Sequence, residues 1–187
     1  MCITSKQKED IELYVAFVKS HVLSEYQVDI SGIKYTVVPS IEIPGHGKQP
    51  GLFLDNKIAS RMVKAKYTLS DDKQVLLSAI SNETGFMQYF GIVFHEFGHS
   101  TFDQLGKNTE DGAFTVELTA LVAYVLENPD KLDVVQNYVE ARKQSGMFKT
   151  SFSMVKNPIW EVRAKTSLEY LSNKTRSLMA YPSHMSF

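Results

Sequence analysis

Apolar positions recur along this chain with two different periods, and the change of period divides it. Over residues 7–23 they fall at Ile11, Tyr14, Val15, Phe17, Val18, Val22 and Leu23, the three-and-four spacing of an amphipathic helix. Four short runs rich in β-branched and aromatic residues follow, at 33–39, 51–56, 63–69 and 74–81. Pro39, the PGHGKQPG stretch and SDDK separate them, so they predict strands joined by turns. Helical spacing then returns in FMQYFGIVFHEFGHSTFDQL, in AFTVELTALVAYVLEN, over 131–144 and over 158–178, where Pro158 suits a first helical position. This order predicts an α+β fold in which a small, mostly antiparallel or mixed sheet packs on the helix around residue 95. A helical C-terminal part follows. One domain is expected over 1–187, made of helix plus sheet (1–81), two central helices (82–128) and the C-terminal helices (129–187).

The first of those central helices carries HEFGH at positions 95–99, an HExxH motif. On a helix, residues i and i+4 share a face, so His95 and His99 can each aim one ring nitrogen at a single ion. Glu96 stands about 100° round the helix, within reach of a water on that ion. These residue types at this spacing point to zinc hydrolysis, with Glu96 as general base. Gly98 costs about 1 kcal/mol in a helix interior, which makes sense where another backbone packs close.

A catalytic zinc site generally has three protein ligands and one open position. A third histidine spaced as HExxHxxGxxH is excluded, because positions 102 and 105 are Phe102 and Leu105. A cysteine ligand is excluded as well, since Cys2 is the single cysteine and stands at the start of the chain. The remaining common source is a glutamate on a following helix. Glu117 sits among Val116, Leu118, Leu121, Val122 and Val125, and a carboxylate in apolar surroundings needs a partner. Glu117 is therefore the expected third ligand, with Glu110 and Asp111 in the preceding loop as rivals. Asp103 continues the row from His95 and His99 but is carried past the ion. In the thermolysin-like gluzincins, which HEFGH with a downstream glutamate resembles, an aspartate four residues after the ligand glutamate orients the first histidine. Here that position is Leu121, so His95 needs another partner.

Composition narrows the picture further. The 187 residues are 43% hydrophobic and 11% aromatic, which describes a globular domain rather than a disordered chain. A net charge of −1 with dispersed lysines and arginines argues against nucleic acid as a partner. No apolar run approaches the roughly 20 residues that span a bilayer, and the polar start MCITSKQKED has no signal-peptide core. A soluble protein, in all expectation a monomer, suits these features, and a lone cysteine suits a reducing compartment.

HEFGH with a downstream glutamate resembles the gluzincin-type zinc metallopeptidases over residues 84–128. The order of helix, small sheet, motif helix and glutamate helix resembles a minimal zincin domain. In that architecture the strand before the motif helix often lies at the sheet edge beside the cleft, and residues 74–81 are the candidate. The resemblance implies a zinc endopeptidase with His95, His99 and a glutamate as ligands and Glu96 as base. A donor for the developing oxyanion is sought among Tyr170, Tyr181, Arg163 and His184. His21 is expected to be solvated or hydrogen-bonded, and His46 to lie in a turn. More narrowly, the chain resembles metalloprotease effectors that bacteria inject into host cells. This implies actin as the protein substrate and the host cytosol as the place of action, with this chain as the catalytic part of a longer protein. Two other functions fit the same residues: a zinc aminopeptidase or small-peptide hydrolase, and a non-enzymatic binding module stabilised by zinc.

Overall fold

The structure, a computed structural model, describes residues 3–43, 45–55, 57–70, 72–79, 89–146 and 158–172. It is a mixed α+β fold with six α-helices and a small mixed sheet among the described residues. The chain opens with α1 (Ser5–Tyr26), started by a capping box in which Thr4 and Gln7 satisfy each other's backbone N–H groups. Ile11, Val15, Val18, Val22 and Tyr26 form its buried stripe.

Strand β1 (Lys34–Val38) is followed by a hairpin of β2 (Ile41–Ile43) and β3 (Gly47–Gln49), then by β4 (Gly51–Leu54). After α2 (Ile58–Lys66) comes β5 (Gln74–Ser78), which lies between β1 and β4, parallel to the first and antiparallel to the second. All five residues of β5 are buried. Val75 and Leu77 enter the main core with Phe53 of β4. Leu76 and Leu54 face a smaller core with Ile41 and Val63. The period-2 alternation thus splits one sheet between two hydrophobic clusters.

Two expectations need correction here. The run at 63–69 is not a strand: α2 covers most of it. Its alternation of apolar residues with lysines fits either structure, but the carboxylate of Asp55 accepts from the Lys57 N–H and the Ser60 hydroxyl, both at 2.9 Å, and starts a helix. The run at 74–81 is not the sheet edge either. β5 is central, and β4 is the edge strand beside the cleft; residues 80 and 81 lie outside the described residues.

The remaining helices are α3 (Tyr89–Gln104), α4 (Glu110–Glu127), α5 (Leu132–Gln144) after one 3-10 turn (Pro129–Lys131), and α6 (Pro158–Ser172). Residues 173–178, expected to continue the last helix, lie outside the described residues. α3 is apolar nearly all round and is buried accordingly, between the sheet, α1 and α4. No helix of the described residues is long and apolar enough to cross a membrane.

Candidate metal centre

α3 and α4 cross at Gly98. A Cβ there would lie 2.7 Å from the Ala113 carbonyl oxygen and 2.8 Å from its Cα, so only glycine lets α4 come this close. The approach brings the first turn of α4 over the histidines. Thr109 caps that helix by accepting the Gly112 N–H, and Glu110 is the first helical residue.

His95 and His99 point to the same side, with ring centroids 4.8 Å apart. Their Nε2 atoms face the Glu110 carboxylate at 3.4 and 3.5 Å. Both Nδ1 atoms are engaged on the opposite side of the rings. That of His95 donates to Glu117 Oε2 at 2.9 Å, and that of His99 to Asn108 Oδ1 at 2.7 Å. A proton held on Nδ1 by an oxygen acceptor leaves Nε2 to serve as a ligand. Among the described residues, His95, His99 and Glu110 form a group whose donor atoms all lie within 4.8 Å of one another, a spread that one ion can bridge.

Glu117 is placed differently from the expectation. Its carboxylate is fully buried and lies on the Nδ1 side of His95, away from the two Nε2 atoms. Oε1 accepts from the Tyr138 hydroxyl at 2.6 Å, and Oε2 accepts from Arg142 Nη2 at 3.0 Å as well as from His95. The group with His95 and His99 thus contains Glu110, the rival in the sequence reading, and not the expected Glu117. Asp111, the other rival, is not in the group. The partner that His95 lacked at Leu121 is Glu117 itself. Glu110 and Glu117 are seven residues apart, so they share one stripe of α4 about 10 Å apart along its axis. The His95 ring lies between them, with one nitrogen turned to each.

Electrostatics follow from this enclosure. Burial opposes a charge on His95, yet Glu110 and Glu117 outweigh it and raise its pKa to about 9. Hydrogen bonds from His95 and His99 hold Glu110 well below the usual carboxylate range. Burial pushes against ionisation of Glu117, but Arg142 and His95 keep its pKa low. The two carboxylates therefore favour positive charge on the imidazole between them.

Glu96 is buried below β4, and burial raises its pKa. Its carboxylate accepts a backbone hydrogen bond from Phe53. A Cβ on Gly51 would stand 2.6 Å from Glu96 Cγ and 2.8 Å from Oε1, so the glycine that opens β4 makes room for this side chain. A cleft of about 620 Å3 opens over the three motif residues. The hairpin forms one wall with Ile43, His46 and Gln49, β4 lies alongside, and Asn108, Glu110 and Phe114 stand opposite.

The other candidates divide between cleft and core. His46 lines the cleft. His21 is buried, with Nε2 3.0 Å from the Thr119 hydroxyl. Asp103 pairs with Lys73, and Arg163 pairs with Glu25 of α1. Tyr170 is buried in the core, so neither Tyr170 nor Arg163 belongs to the cleft lining. Tyr181 and His184 lie outside the described residues. Asn108, Tyr138, Arg142 and Gly51 escaped the sequence reading. The i, i+4 spacing of Tyr138 and Arg142, on the helical face that Val135 and Val139 also occupy, was the signal available for two of them.

Comparison with protein-family models, with curated proteins and with solved structures finds no match for this chain.

Proposed function

We propose that this chain is a zinc-dependent endopeptidase of minimal zincin-like architecture. The observation that carries the reading is the orientation of the histidine pair. Both Nε2 atoms turn to one carboxylate and the cleft, while both Nδ1 atoms are held from behind. Two imidazoles and a carboxylate, with no thiolate, are a donor set that suits catalytic zinc. His95, His99 and Glu110 would hold the ion, which when bound supplies the Lewis acidity that polarises a carbonyl and acidifies water.

The chain's own residues do the rest. Glu96 takes the proton of the attacking water and later delivers it to the leaving amine as the C–N bond breaks. Burial strengthens its hold on that proton, and the Phe53 N–H fixes the carboxylate. Glu117 and Asn108 keep the imidazoles in register. Among the described residues β4 is an edge strand with one neighbour, so an extended peptide can add along it and cross the cleft above Glu96. His46 on the cleft wall is a further hydrogen-bonding group for that peptide. For the particular substrate, the resemblance to the Legionella effector protease RavK points to actin cleaved in a host cell.

The test is metal content and cleavage of actin and of an unrelated protein, for the native chain and for Glu96→Gln. The variant is expected to keep its zinc and lose about 100- to 10,000-fold in rate. Equal cleavage by both would end the endopeptidase reading. Hydrolysis of dipeptides alone would favour the small-peptide hydrolase, and zinc without any hydrolysis the binding module.

A further inference from the structure

We propose that Arg142 and Tyr138 of α5 are positioning residues of the metal centre, acting through Glu117 on His95. The inference rests on the metal reading above and extends it to a helix that carries no ligand.

The two residues are one turn apart on the buried face of α5, 5% and 1% exposed. Both reach the carboxylate of Glu117, one to each oxygen. Such burial of a carboxylate is tolerated only with charge and hydrogen bonds around it. Arg142 also lies over the rings of Phe114 and Tyr138, at 5.3 and 5.6 Å from their centroids. Phe114 in turn packs on the His95 ring at 4.7 Å. Arg142 therefore meets His95 by two routes, through the acceptor of its Nδ1–H and through the ring that limits its rotation. Tyr138 crosses α3 at Gly91, where a Cβ would fall 2.1 Å from its Cζ, so α3 itself is shaped to admit this side chain.

The geometry distinguishes positioning from simple core packing. Glu117 Oε2 is shared between Arg142 and His95 Nδ1. Without the guanidinium the Tyr138 hydroxyl still holds Oε1, but Oε2, the atom that fixes the imidazole, loses its second anchor. His99 is held by Asn108 instead and is independent of α5. Loss of the α5 pair should therefore disturb one histidine and leave the other.

The experiment uses the full chain with Arg142→Met, Arg142→Lys and Tyr138→Phe, circular dichroism reporting the fold. Zinc affinity is read by competition with a chromophoric chelator. In metal-free protein, the Nδ1–H protons of both histidines are followed by NMR. Arg142→Met is expected to bind zinc about 10- to 100-fold more weakly, the range for partners behind a metal ligand. The exchange-protected Nδ1–H signal of His95 should be lost while that of His99 stays. Arg142→Lys should recover part of the affinity, because a point charge replaces a two-pronged donor. Tyr138→Phe removes a single hydroxyl and should weaken zinc severalfold, with the His95 signal shifted. These two milder variants decide the matter where Arg142→Met does not fold. Native zinc affinity and an unchanged His95 signal in both would overturn the proposal. A native chain that binds no zinc would overturn the metal reading instead, and the His95 signals would still decide the role of α5.

Discussion

Two histidines, His21 buried and His95 partly buried at the cleft, face α4 from opposite sides, and they are driven in opposite directions. His95 meets Glu117, and its pKa is raised to about 9 by carboxylates that outweigh its burial. His21 meets Thr119, and burial followed by the nearby Arg163 guanidinium lowers its pKa to about 4. Glu117 and Thr119 are two residues apart, about 200° round the helix, so one helix offers a charge to α3 and a hydroxyl to α1. The His21 side is a neutral knot. The Thr119 hydroxyl is shared with Tyr26 at 2.8 Å and with the Thr115 carbonyl at 3.0 Å, and Phe17 stacks on the imidazole. Burial alone therefore does not make a histidine chemical. The sign of the neighbouring charge decides between a site for cations and a structural hydrogen bond.

The comparison breaks most sharply at Glu117. Glu117→Gln leaves Arg142 buried without its counter-charge and should cost about 3–5 kcal/mol in denaturant unfolding of the metal-free protein. Glu110→Gln changes a mostly exposed side chain in the first turn of α4, so it should cost less stability than Glu117→Gln while zinc affinity collapses. The reverse pattern, with metal lost at 117 and kept at 110, would restore Glu117 as the ligand.

The pH dependence should separate the two histidines next. His21 has a folded pKa below its unfolded value of 6.5, so the native state binds fewer protons than the unfolded state in that window. Stability is then full above pH 6.5 and falls as pH drops toward 4, by about 3 kcal/mol in all. His95 works the other way. Its contribution is full below pH 6.5 and is lost as pH rises toward 9 in metal-free protein. Unfolding midpoints measured across pH should show both limbs, and His21→Gln should flatten only the acidic one.

Thr119→Val is the mildest probe. It strips the shared hydroxyl from His21 and Tyr26 and should cost about 1–3 kcal/mol. Zinc affinity should stay unchanged, because the knot lies on the far side of α4. A loss of zinc affinity in this variant would show that the two faces are not independent.

Much of the fold was readable from residue spacing. The helices around 7–23, 95, 117, 131–144 and 158 were legible, as were β1, β4 and β5, because each couples a clear period to turn residues. The run at 63–69 misled because its alternation of apolar residues with lysines imitates a strand, whereas the residues it buries are the sequence neighbours Val63 and Lys64. The β2–β3 hairpin was missed because its three-residue strands are too short to show a period. At the site, His95, Glu96 and His99 could be placed from the motif, since a helix carries i and i+4 to one side wherever it sits.

By itself the sequence determined which side chains are candidate donors, their spacing along α3 and α4, and the need for a charge partner around Glu117. Glu110 and Glu117 lie on one stripe of one helix, and no local rule ranks them. Only the tertiary structure decided their order. The close crossing at Gly98 carries Glu110 to the Nε2 side, and the approach of α5 over Gly91 brings Tyr138 and Arg142 to claim Glu117. Helical periodicity acts over a few residues, whereas the partner of a buried charge is set by which helix packs against it.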